Sequence, residues 1–354
     1  VDQTLSYSGP SLSLGTKTLR LSGGGTFANT NPLVLDNAAS KLLLSSITVD
    51  SVSTSVDNSL GVEVENDSTI NSLSISNITP VSIATGKILS GAIGVTAGSI
   101  KLTDTGTLAS AVSMSGGTLD VDNSLTLSGA LTQSGNTTID VADTRTLTYT
   151  GTPISLGGYT LMLTGGGNLV SGGLELNNTN SKLLLSSITV DSVSTSVDNS
   201  LGVEVENDST INSLSISNIT PVSIATGKIL SGAIGVTAGS IKLTDTGTLA
   251  SAVSMSGGTL DVDNSLTLSG ALTQSGNTTI DVADTRTLTY TGTPISLGGY
   301  TLMLTGGGNL VSGGLELNNT NSKLLLSSIT VDSVSTSVDN SLGVEVENDS
   351  TISS

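Results

Sequence analysis

Asp120, Asp122 and Asp140 are the residues of this chain whose type and spacing most suggest chemistry. They lie in "TLDVD" at Thr118 and "TTIDV" at Thr137, and they recur as Asp261, Asp263 and Asp281. If the two segments are neighbouring rungs, their carboxylates stand about 5 Å apart and repel unless solvent, a raised pKa or a cation relieves them. Ca²⁺ takes six to eight oxygens in a flexible shell, so these six aspartates are candidate weak Ca²⁺ ligands, three in each copy. The plain alternative is a solvated acidic face. Glu63, Glu65 and Asp67 form a second acidic patch open to the same two readings.

A carboxylate pair can also do acid–base work on a glycosidic bond, with Asp120 beside Asp122 or Asp140 as the pair to test. Histidine is absent, the cations Lys41, Lys87, Lys101 and Arg145 do not cluster in sequence, and the pair is duplicated verbatim. Enzymes need one shaped cleft, so no catalytic role is expected. The glycine-rich "LTGGGNLVSGG" at 163–173 has no lysine to hold a phosphate and no aspartate to hold calcium. It reads as a tight turn. Threonines in "TLTYTG" at Thr146 and "NTTID" at Asn136 raise ice binding as a further class. The outward residues Arg20, Glu63, Ser74, Lys101, Asp120 and Met162 vary, which favours threonine as a solvent-facing strand former.

These side chains are carried by a chain of 354 residues, 36% hydrophobic but only 2% aromatic, with 42 Gly and no Cys. So few aromatics cannot fill a wide core, whereas evenly spread Leu, Ile and Val suit a narrow one. Eleven Lys and Arg against 29 Asp and Glu leave a formal charge of −18. That balance argues against nucleic acid and against an anionic membrane surface as partners. No apolar run approaches the roughly 18 residues that span a bilayer. Without an initiator Met or signal peptide, the chain is expected to be cut from a longer protein whose targeting signals lie outside it.

Residues 40–180 recur without change as 181–321, and a third copy starts at Ser322. Ser40, Ser181 and Ser322 thus mark the starts of one long, exactly repeated unit. Residues 1–39 are a divergent copy of the unit's end, and 322–354 begin the third unit. One continuous solenoid with no independent domains is expected. Within each unit, "TLRLS", "GVEVE", "SIKLT" and "TLMLT" alternate apolar with polar residues and are broken by Gly, Asn, Asp and Ser. Such strands are too short for a sandwich and fit stacked coils of about three strands each. The prediction is an all-β, right-handed parallel β-helix (β-solenoid) of about 20 residues per coil and about seven coils per unit.

The segment "VDNSL" begins at Val56, Val121, Val197, Val262 and Val338. It reads as a corner in which Val56 ends one inward strand, Leu60 starts the next, and Asp57, Asn58 and Ser59 turn the chain. On that reading the interval from Val56 to Val121 is three coils and the longer one from Val121 to Val197 is four.

Short "xLxLxG" strands, Ser/Thr/Asn/Gly turns, no Cys, strong acidity and long identical units resemble the repeat regions of very large bacterial surface proteins. Haemagglutinin-like adhesins and autotransporter passengers are the types resembled. The resemblance is one of composition and rhythm over the whole chain and carries over no functional residue. It implies a right-handed parallel β-helix, export to the bacterial cell surface, and a role in adhesion, matrix or cell-to-cell contact. The expected function is a structural stalk that presents an adhesive region. Expected partners are other surface or matrix components or copies of this chain, end to end or side by side. Alternatives are a lateral face that binds glycan or Ca²⁺-bridged sister rods, a polysaccharide-active enzyme, and an ice-binding solenoid. No cofactor is required on this reading, though Ca²⁺ is admitted.

Overall fold

The structure, a computed structural model, describes residues 2–353. Every regular element among them is a β-strand, and the chain packs as two compact units, 1–174 and 175–354. No helix capable of crossing a membrane is present among the described residues.

In the first unit one sheet takes a single strand from each coil. These are Thr18–Ser22, Lys41–Ser45, Gly61–Asn66, Ile78–Ile83, Ser99–Leu102, Thr118–Val121, Thr137–Val141 and Thr160–Thr164. Each pairs in parallel with the next. Seven of these strands fall between Lys41 and Thr164, so each sequence repeat holds seven coils, as expected. The β-solenoid and its coil of roughly twenty residues are therefore present.

Alternation sorts the side chains of this sheet. Leu42, Val62, Val81, Leu102, Val121 and Val141 stack inward and are all 1% exposed or less. Burying each such side chain is worth about 1.5–3 kcal/mol, and most of its neighbours are the same kind of residue one coil up and one coil down. The core is thin because its ladder needs only aliphatics. Tyr149, stacked on Leu127, is a buried aromatic that keeps a polar handle satisfied: its hydroxyl accepts the Leu131 N–H at 3.2 Å.

The other wall departs from three strands per coil. Thr48–Thr54, Ser68–Ile75 and Ile88–Val95 each run through two sides as one long strand. A register shift between Gly91 and Ile93 bends the last of these. Gly91 has φ +113, and a Cβ there would sit 1.8 Å from the Ile70 carbonyl oxygen, so only glycine lets the bulge close. From the coil that begins at Ser99 the long strand splits in two. Thr107–Leu108 is followed by Ala111–Met114, Leu125–Leu127 by Leu131–Gln133, and Thr146–Tyr149 by Ile154–Ser155.

The corner motif folds in two ways. At Val121 the expected corner forms: Val121 and Leu125 are both buried, and the Asn123 side chain donates to the Thr103 carbonyl at 2.7 Å. At Val56 it does not. Leu60 is 57% exposed while Ser59 is buried, and Asn58 takes φ +55. There Asp57 accepts the Ile78 N–H at 2.8 Å. Gly61 starts the following strand at φ +76, which moves the inward position from Leu60 to its neighbours. The two versions stand at different corners, one after the second wall and one after the first sheet. The interval from Val56 to Val121 therefore does not measure whole coils.

The second unit repeats the same register in its own copy. Lys242 pairs with Asp261, and Asp261 with Asp281. The last strand of its corresponding sheet, Gly343–Val346, shows what a covering coil contributes. Val344 and Val346 are 42% and 55% exposed, whereas Val203 and Val205 of the same sequence, covered by Ile219–Ile224, are 1% and 0% exposed.

Candidate functional site

Asp120 points outward from Thr118–Val121 because Leu119 and Val121 point in. Its register partner on the next rung is Asp140, as the sequence suggested. Its partner on the preceding rung is Lys101. The Lys101 ammonium lies 3.2 Å from Asp120 Oδ2 and 2.9 Å from Asp122 Oδ2. The second copy matches, with Lys242 at 3.4 Å from Asp261 and 2.9 Å from Asp263. All six predicted aspartates thus sit in two clusters of one lysine and three acids. Asp140 and Asp281 lie one rung beyond the lysine contacts.

The electrostatics are uneven. Partial burial pushes the Asp120 carboxyl above its ordinary pKa, against the pull of Lys101 and with added repulsion from Asp122 and Asp140. Asp261 is raised for the same leading reason. Lys101 and Lys242 are themselves raised, chiefly by hydrogen bonds to Asp122 and Asp263. The two directions are consistent. Each ammonium bonds more closely to the outer carboxylate, which leaves the more buried one under-compensated.

On the other side the glycine-rich turn passes close by Asp140. Gly165 has φ +107, and a Cβ there would lie 2.1 Å from Asp140 Oδ1 and 2.3 Å from the Val141 carbonyl oxygen. A tight turn is thus present at 165–167 of "LTGGGNLVSGG", where the chain must pass close over the carboxylate, whereas Asn168–Val170 of the same segment is a strand paired with Thr146–Tyr149.

The second acidic patch is also matched with cations. Lys41 reaches Glu63 at 2.5 Å and Arg20 reaches Glu65 at 2.6 Å, while Asp67 accepts the Ile88 N–H at 3.0 Å. Arg20, Lys41 and Lys101, dispersed in sequence, meet acids in space because each stacks one or two coils before its acid. An outward Lys or Arg one or two coils ahead of an outward acid is the signal that sequence reading passed over.

Chemically, each cluster is an ion triad on a sheet surface. Among the described residues, no three carboxylates converge in a metal-binding arrangement. The groove of about 300 Å³ lined by Gly24, Ser46, Ile47, Asp67, Thr69 and Ile88 contains none of the six aspartates. Half-exposed ion pairs of this kind are worth under about 1 kcal/mol each and weaken with salt.

No protein-family model, no curated protein and no solved structure matches this chain.

Proposed function

We propose that this chain is a structural spacer: a stretch of repeats in an extracellular bacterial surface protein that holds an adhesive region away from the cell. The observation that carries this reading is that one repeated sequence folds the same way twice. Lys101–Asp120–Asp140 and Lys242–Asp261–Asp281 share register, and Lys101 pairs with Asp120 and Asp122 just as Lys242 pairs with Asp261 and Asp263. A chain in which each coil rests only on its neighbours can be lengthened by copying without redesigning a core. The lysine–acid triads then serve the stack. They hold adjacent rungs together and keep an acidic, soluble surface on a protein made of strands.

Deleting residues 181–321 from the protein displayed on cells tests this reading. Attachment should persist with its ligand preference unchanged, and only its reach should fall. Abolished attachment at equal surface expression would show instead that the repeats themselves bind.

A further inference from the structure

The two walls of the first unit differ sharply in charge. Arg20, Lys41, Glu63, Glu65, Lys101, Asp120 and Asp140 lie on strands of the first sheet. Across the strands of the second wall from Thr48 to Val170, Asp50 is the sole charged residue. In a protein of net charge −18 this side is almost neutral.

Three consecutive rungs on that side form an ordered array. Thr107, Thr126 and Thr148 are register partners, with no shift between them. Two residues before each stand Thr105, Ser124 and Thr146, and two residues after each stand Ala109, Ser128 and Thr150. The inward positions between them, Leu108, Leu125, Leu127, Leu147 and Tyr149, are buried, which aims the whole array outward. Eight of the nine outward residues carry a hydroxyl and the ninth a methyl. Among the described residues, the side-chain hydroxyls of Thr107, Thr126 and Thr148 bond to no other protein group, so water must satisfy them. Charge resumes only at the corner, with Asp104 and Arg145. The second unit carries the same array around Thr248, Thr267 and Thr289.

We propose that this array binds ice. In the paired strands the spacing is about 4.8 Å between Thr107, Thr126 and Thr148 on successive rungs and about 6.6 Å between Thr146 and Thr148 along one strand. Hydroxyls held at such intervals fix their first-shell waters in a repeating pattern, so little further ordering is needed when those waters join a crystal. Charged groups would instead gather water radially around themselves, and this array has none. The neighbouring methyls of threonine and alanine limit competing hydrogen bonds. The sequence hid the array because Arg20, Glu63, Lys101, Asp120 and Met162, which break up any threonine pattern, belong to the other sheet.

The test is to grow ice slowly from a dilute solution of the whole chain and measure its partition into the solid. The protein should be enriched several-fold in the ice over an unrelated soluble protein of similar size. The double variant Thr126→Lys, Thr267→Lys should be excluded while keeping its β-sheet circular dichroism. The control Thr138→Lys, Thr279→Lys, which adds the same charge to the first sheet, should stay enriched. Exclusion of the wild-type protein overturns the proposal on its own. So does equal enrichment of the Thr126/Thr267 variant, or equal loss from the control.

Discussion

Asp120 and Asp140 are register partners on adjacent rungs, and the cation that pairs with Asp120, Lys101, comes from the rung before and lies closer to Asp122. The consequence is a pH dependence with a definite sign. Because the folded state raises the Asp120 and Asp261 pKa values above 3.8, it binds those protons more tightly than the unfolded chain does. Stability from these two groups is fully present below the unfolded value and is lost as pH rises through the raised folded value. Melting curves of wild type and Asp120→Asn, Asp261→Asn should therefore diverge on acidification. The wild type gains relative to the variant between neutral pH and about 3.8. A variant that gained as much would remove these two carboxyls from the account.

The same triad sets an expectation for metal. With the ammonium already between Asp120 and Asp122, titration of the wild-type chain with millimolar Ca²⁺ should release no measurable heat. Lys101→Met, Lys242→Met exposes two sets of three acids with no counter-ion and should acquire weak, Ca²⁺-dependent heat. Strong heat from the wild type would instead assign Asp120, Asp122, Asp140 and their copies to a metal site.

Asn58 and Asn123 occupy the same place in identical pentapeptides yet do different jobs. Asn58 holds φ +55, which glycine adopts without penalty, so Asn58→Gly should be neutral or slightly stabilising. Asn123 ties its corner to the Thr103 carbonyl, so Asn123→Gly should cost about 1 kcal/mol. Urea unfolding of the two single variants decides the matter, and equal effects would contradict the two-corner description.

Thr144 and Thr285 sit at φ +62 and +64, a left-handed geometry that a β-branched residue tolerates poorly. Thr144→Gly should raise stability by about 1 kcal/mol by removing that strain. A loss in the same urea assay would mean that the threonine side chain has a role at this corner.

Much of the fold was legible in the sequence. Period-two alternation, the long exact repeat and the match of "TLDV" to "TTIDV" led to seven coils and to the Asp120–Asp140 stack. What stayed hidden depended on the corners. The steps from Lys101 to Asp120, from Asp120 to Asp140 and from Thr138 to Met162 each join register partners on adjacent rungs, yet no two have the same length. A fixed ruler therefore misses most partners, including the lysines. Corners vary because residues outside them decide their shape. Gly61 turns one "VDNSL" outward at Leu60, while the strand Leu125–Leu127 draws the other inward. Which outward residues share a wall is likewise a property of the coil and not of its local sequence, so the hydroxyl array could not be read directly.

The most direct test of stacked coils is the distance between Thr126 and Thr148, one full coil apart along the chain and adjacent in register. The chain has no cysteine, so Thr126→Cys, Thr148→Cys accepts a nitroxide at these two sites alone. Stacked coils place the two backbones about 4.8 Å apart, and the frozen-state electron paramagnetic resonance spectrum should show strong dipolar broadening. A spectrum equal to the sum of the two singly labelled proteins would contradict the solenoid, and the spacer, the triads and the hydroxyl array would fall with it.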